Sequence, residues 1–167
     1  FGYTTPSYDV SESRYVTTLL LPSGSNLAAE GTTLTHSLGA DHVVYRDQAS
    51  RVSLSARLNT QRTRSWLGGE FLEVSSRRLT TLDVGASGFS QMWGGVGNAR
   101  VGYVRGLKAL GALQDMQDLP DDLPHAQFQK YTLDLGYARG FTIGSRPLEW
   151  STQFSGQYSR DKLYGSH

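Results

Sequence analysis

The chain has 167 residues, enough for one domain, and carries 16 basic and 15 acidic side chains for a formal charge of +1. Near-neutrality excludes the basic face with which nucleic-acid binders neutralise phosphates, so no nucleic-acid partner is expected. Cysteine is absent, which excludes disulfides and thiolate-held metals. No charged-then-apolar leader follows Phe1, and no run approaches the roughly 18 to 20 apolar residues of a membrane-spanning helix.

Glycine, serine, threonine and tyrosine are plentiful and lysine is scarce, a β-rich recipe. Transmembrane strands need only about 9 to 11 residues and show alternation instead of a solid apolar block. A weak strand is expected over Tyr8 to Thr18 and a second over Thr33 to Tyr45, where Leu34, Leu38, Ala40 and Val44 share a parity. Ser50 to Thr63 is the strongest, with Val52, Leu54, Ala56 and Leu58 on one parity and Arg51, Ser53, Ser55, Arg57, Asn59 and Gln61 on the other. Glu73 to Phe89 alternates best at its centre, setting Leu82, Val84 and Ala86 against Thr81, Asp83, Gly85 and Ser87, with Arg77 and Arg78 near one end. Gly97 to Arg105 places Ala99, Val101 and Tyr103 together. Phe128 to Phe141 sets Tyr131, Leu133, Leu135, Tyr137 and Phe141 against Lys130, Thr132 and Asp134, and only Arg139 spoils the apolar side. Leu148 to Ser159 opposes Leu148, Trp150, Phe154 and Tyr158 to Glu149, Ser151, Gln153 and Gln157.

About seven strands result, and their spacing suits hairpins. Asp47-Gln48-Ala49, Leu67-Gly68-Gly69, Trp93-Gly94-Gly95 and Ile143 to Pro147 carry turn chemistry, while Gly106 to Ala126 is a much longer polar insert. The predicted fold is all-β, an antiparallel meander forming part of a transmembrane outer-membrane β-barrel.

Periodicity alone fits a soluble sandwich as well. The polar parity decides in favour of the membrane: it is rich in Ser, Thr, Gly and Gln with scattered Arg, Asp and Glu, as suits a wet barrel interior. Aromatics towards strand ends fit girdles at the lipid headgroups. On this reading Arg51, Arg57, Arg77, Asp83, Arg100, Lys130, Asp134 and Glu149 line the lumen. Leu54, Leu58, Leu82, Val84, Tyr131, Leu133, Leu135, Trp150, Phe154 and Tyr158 face outer-membrane lipid. The lumenal charges either line a hydrated path or form an ion-pair network that stiffens the wall.

The ordered stretches Tyr45 to Leu54, Arg57-Leu58, Glu73 to Leu79, Tyr103 to Leu107 with Leu110-Gly111-Ala112, and Leu148 to Ser166 with its Ser159-Arg160-Asp161-Lys162-Leu163-Tyr164-Gly165-Ser166 ending carry a resemblance. Together they resemble the barrel of the hemolysin-activator and filamentous-hemagglutinin transporters, the two-partner secretion family of the Omp85 superfamily. The resemblance covers roughly residues 30 to 167. It implies a 16-stranded barrel in the bacterial outer membrane that exports one large β-helical secreted partner protein, a hemolysin or adhesin, without ATP. It also implies that residues 1–167 hold middle strands only, without the POTRA modules, the C-terminal strands or the Val-Arg-Gly-Tyr or -Phe loop expected after Ser166. Orientation stays open: loop length makes Gly106 to Ala126 extracellular, whereas counting back from that signature loop makes it periplasmic.

Competing chemistry is weak. His36, His42, His125 and His167 are too dispersed to share a metal. The acidic loop with Asp115, Asp118, Asp121 and Asp122 lacks the glycine and terminal glutamate of a calcium loop. No Gly-x-Ser-x-Gly elbow accompanies the serines. Neither catalytic residues nor a cofactor are expected. The alternatives kept are a soluble or surface β-sheet adhesin fragment and a general porin-like barrel.

Overall fold

A computed structural model of the chain describes residues 3–20, 26–73, 75–116, 120 and 123–162. The long strands are β1 (Thr4–Leu20), β2 (Asn26–Arg46), β3 (Ser50–Leu67), β5 (Arg77–Met92), β6 (Gly95–Gly106), β7 (Gln129–Ile143) and β8 (Arg146–Ser159), with a two-residue β4 (Glu70–Phe71) beside β3. All pairings are antiparallel, in the order β1-β2-β3-β5-β6-β7-β8. This is the expected half-barrel meander. Every long strand exceeds the roughly 9 to 11 residues needed to cross a bilayer.

Register turns the sequence parities into two continuous faces. On the apolar face, Leu58 lies between Leu38 and Leu82, and Val84 between Ala56 and Tyr103. Val101 pairs with Leu133, and Leu135 with Phe154. Tyr131 lies between Tyr103 and Tyr158, and the Tyr103 and Tyr131 ring centroids are 5.1 Å apart. These side chains are uncovered: Leu54, Leu135, Trp150 and Phe154 are 47%, 42%, 54% and 56% exposed. An apolar surface of that extent needs a non-aqueous neighbour.

The strands differ from their expected limits at the ends. β1 and β2 reach further towards each other, and the segment after Leu67 makes a small hairpin through Gly68 and Gly69, both at positive φ, into β4, so β5 begins at Arg77 and not at Glu73. Pro147 lies inside β8, opposite Thr142, and Pro6 inside β1; among the described residues both strands pair on one side only, where a missing N–H is tolerated. Val44 sits at an irregularity in the β2–β3 register. The register shifts between Val43 and Tyr45, so Tyr45 pairs with Val52 and joins the apolar face.

The described part of the long insert is tied to the sheet. Leu107 and Leu113 donate backbone hydrogen bonds to Thr80 and Arg78 at 2.8 Å, continuing alongside β5. Asp115 accepts from the backbone N–H groups of Ala126 and Gln127 at 2.8 and 2.9 Å, and its own N–H donates to Gln127 Oε1 at 2.7 Å. The buried apolar residues Leu79, Ala112, Ala126 and Phe128 belong to this end of the sheet.

Candidate functional site

All eight charges expected to share a face do so. In β3, Arg51 and Arg57 project with Ser53, Ser55 and Asn59; Arg57 pairs with Asp83 across β5, and Arg77 pairs with Thr63. Arg100 pairs with Ser87 on one side and Asp134 on the other. Lys130 pairs with Val104 and Ser159, and Glu149 with Gly140.

These pairings build transverse rows. One runs Gly39, Arg57, Asp83, Val104, Lys130; another runs Val43, Ser53, Ser87, Arg100, Asp134, Ser155. Between them lies a row of small groups: Asp41, Ser55, Gly85, Gly102, Thr132. Neighbouring same-face rows are about 6.6 Å apart along a strand, so long charged side chains reach over the small row. Within the first charged row, Gly39 leaves space beside Arg57. A β-carbon at Gly39 would come within 3.2 Å of Arg57 Nε and 3.0 Å of Ser7 Oγ.

Opposite charges alternate along the charged rows, yet hydrogen bonding is shared with neutral groups. Asp83 is held by Asn59, whose Nδ2 donates to Asp83 Oδ2 at 2.7 Å, and Arg51 Nε donates to Ser53 Oγ at 3.2 Å. Shallow recesses on this face bring Asp41 together with Arg51 and Arg100, and Arg57 together with Asp83 and Arg100. Asp41 was missed in the sequence. Its signal was there, since it has the polar parity of its strand, but two histidines and a bulge obscured the alternation.

Among the described residues no group of His, Asp or Glu could hold a metal ion. His36 and His42 lie on the apolar face, where Tyr8 Oη and Thr4 Oγ1 engage their Nδ1 atoms at 3.0 and 2.8 Å. Asp118, Asp121, Asp122, His167 and Leu163 to Ser166 lie outside the described residues.

An antiparallel meander with one exposed apolar face, one polar face and membrane-length strands defines a section of an outer-membrane β-barrel wall. Comparison with known proteins agrees. The family described as haemolysin secretion/activation protein ShlB/FhaC/HecB matches residues 1–167. The outer membrane transporter CdiB of Dickeya dadantii is 31% identical over 99% of this chain and 29% of its own length. CdiB of Escherichia coli is 32% identical over 99% and 27%. The hemolysin transporter protein ShlB of Serratia marcescens is 33% identical over 81% and 24%. The solved structure of CdiB from Escherichia coli superposes with a TM-score of 0.86 at 31% identity, over 98% of this chain and 30% of that one. CdiB from Acinetobacter baumannii, 18% identical with a TM-score of 0.72, shares the fold.

The chain belongs to the ShlB/FhaC/HecB family of outer-membrane transporters, and its place is the bacterial outer membrane. It spans less than a third of the length of these relatives. A soluble adhesin fragment is thereby set aside.

Proposed function

We infer that these strands are one wall of a channel through which a transporter passes a large secreted protein across the outer membrane. The observation that carries this reading is the polar face, continuous across seven strands and patterned as charged rows separated by a row of Gly, Ser and Thr that carries Asp41 in β2. Such a surface suits an unfolded polypeptide in transit. It offers donors and acceptors that exchange with water and with the passing backbone. Alternating charge keeps the wall hydrated without a single-sign field that would hold one substrate sequence.

On this reading Arg51, Arg57, Arg77, Asp83, Arg100, Lys130, Asp134 and Glu149 line the lumen, and Asp41 joins them. The lipid-facing set Leu54, Leu58, Leu82, Val84, Tyr131, Leu133, Leu135, Trp150, Phe154 and Tyr158 meets the acyl chains. The chain does no covalent chemistry and is no enzyme; export draws on folding of the partner outside the cell.

Loop length supports an orientation. The tight turns after Arg46, Met92 and Ile143 share one end of the meander, while the β1–β2, β3–β5 and β6–β7 connections share the other. Barrel turns are short on the periplasmic side and longer outside, so the end with residues 107–128 faces the cell exterior.

A photo-crosslinking amino acid in the full-length transporter tests the reading. At Ser55 or Gly102 it should capture the secreted partner during export; at Ala56 or Val101, on the opposite face, it should capture none. Equal capture from both faces, or none from either while small solutes still pass, would favour a general porin-like barrel.

A further inference from the structure

The apolar face is not uniformly rough. Near its short-turn end, β5 and β6 present the small groups Gly88, Ser90, Gly97 and Ala99, with Met92 laid over Gly97, and a cavity of about 770 Å³ lies over them. One wall is Tyr45 and Val52; the other is Leu135, Tyr137 and Trp150. Tyr137 is fixed in place, its hydroxyl donating to the backbone carbonyl oxygen of Trp93 at 3.1 Å and its ring meeting Trp150 edge-on at 5.8 Å. From the row of Met92 to the row of Gly88 the furrow runs about 13 Å along the strand, close to the ~15 Å depth of one hydrocarbon leaflet.

Arg139, the one cation that interrupts the apolar parity of β7, lies just outside the furrow's lining, paired with Trp150, which lines it. Gly95 makes room for it, since a β-carbon there would lie 2.9 Å from Arg139 Cβ, and the side chain runs beside Gly94, whose β-carbon would lie in ordinary contact, 3.4 Å from Arg139 Nε. The ion pairs among the described residues are Arg14–Glu30 and His125–Asp115, and Arg139 enters neither. An exposed guanidinium beside an aromatic belt, above an apolar furrow of leaflet depth, matches a ligand with an anionic head and hydrocarbon tails.

We propose that this furrow is a binding site for one glycerophospholipid, with acyl chain over Gly88, Gly97 and Ala99 and phosphodiester on Arg139. The choice of a glycerophospholipid over a lipopolysaccharide rests on the orientation given above, which puts the short turns in the periplasmic leaflet.

Native mass spectrometry of the full-length transporter, released from outer membranes in mild detergent and then exposed to phosphatidylglycerol, tests the site. The wild type should retain one phospholipid; Arg139→Gln should weaken retention about tenfold, as expected for a lost charge-assisted contact, and Arg139→Lys by less. Ala99→Trp should fill the furrow and abolish retention, whereas Leu133→Trp, on the same face outside the furrow, should leave it intact. Heat-modifiable migration on gels verifies that each variant is folded. Retention insensitive to both Arg139→Gln and Ala99→Trp overturns the site. Retained lipopolysaccharide that these two variants displace overturns the phospholipid assignment and, separately, the orientation.

Discussion

Leu54 and Ser55 are neighbours in the chain that face opposite ways, and the difference between them is the sharpest test of the two-faced wall. Leu54 pairs with Ala86 and is 47% exposed on the apolar side, whereas Ser55 pairs with Gly85 on the polar side. Arginine at a lipid-facing site near mid-membrane costs about 2 to 4 kcal/mol, so Leu54→Arg should lower the stability of the refolded barrel by that amount. Ser55→Arg adds a charge to a wet surface already carrying Asp41 and Asp83 and should cost much less. Denaturant titration in lipid vesicles compares them, and equal losses would remove the face assignment. A second residue-scale test lies in the β2–β3 turn, outside the spanning strands. The Asp47 carboxyl is held below its usual range by the Tyr45 hydroxyl, which donates at 2.5 Å, and by the N–H groups of Ala49 and Ser50 at 2.7 and 2.6 Å. The folded turn therefore favours the ionised form. Its contribution is complete above the unfolded carboxyl value of about 3.9 and is lost as pH falls through the lower folded value. Exchange of the Ala49 and Ser50 amides should accelerate, beyond the intrinsic pH effect, only in that acid range, and Asp47→Asn should abolish the extra pH dependence.

At the scale of elements, the long insert is the piece whose stability has its own origin. Phe128 is fully buried, with Leu79, Ala112 and Ala126 also buried at the same end, and Gly106 donates its N–H to the Phe128 carbonyl at 2.9 Å. Phe128→Ala should cost about 3 to 5 kcal/mol locally, as large-to-small changes in packed sites do. Limited proteolysis within residues 107–127 should then outpace loss of the β-sheet circular dichroism signal; simultaneous loss would mean that insert and wall form one cooperative unit. The insert also marks where sequence reading stopped. Strand interiors such as Ser50 to Thr63 were legible because alternation of period two is set by backbone geometry and needs no knowledge of the neighbour. For that reason the register gathers the eight charges on one face of the sheet and the ten apolar and aromatic residues on the other. The insert was legible only as polar and long, because its order comes from Asp115 binding backbone groups of Ala126 and Gln127, eleven and twelve residues away. The shift at Val43 to Tyr45 was equally hidden, since a bulge changes which parity is buried without changing composition.

For the whole molecule the decisive groups are on the two outermost strands. Among the described residues β1 pairs only with β2, and β8 only with β7, so each leaves a line of backbone N–H and C=O groups without a strand partner there. In water such edges invite pairing with another chain; in hydrocarbon each unmet group costs several kcal/mol. Seventeen residues in β1 and fourteen in β8 put a long row of such groups on each edge. The sheet is therefore stable in a bilayer only when further strands close it, consistent with its covering 30% of the CdiB structure it matches. Residues 1–167 refolded alone into vesicles should give no heat-modifiable band and should associate edge to edge, whereas co-refolding with the remaining barrel strands should restore a heat-modifiable, protease-resistant species. A monomeric, heat-modifiable product from the segment alone would show that β1 and β8 pair with each other, making the channel a narrow seven-stranded barrel too small to pass a polypeptide.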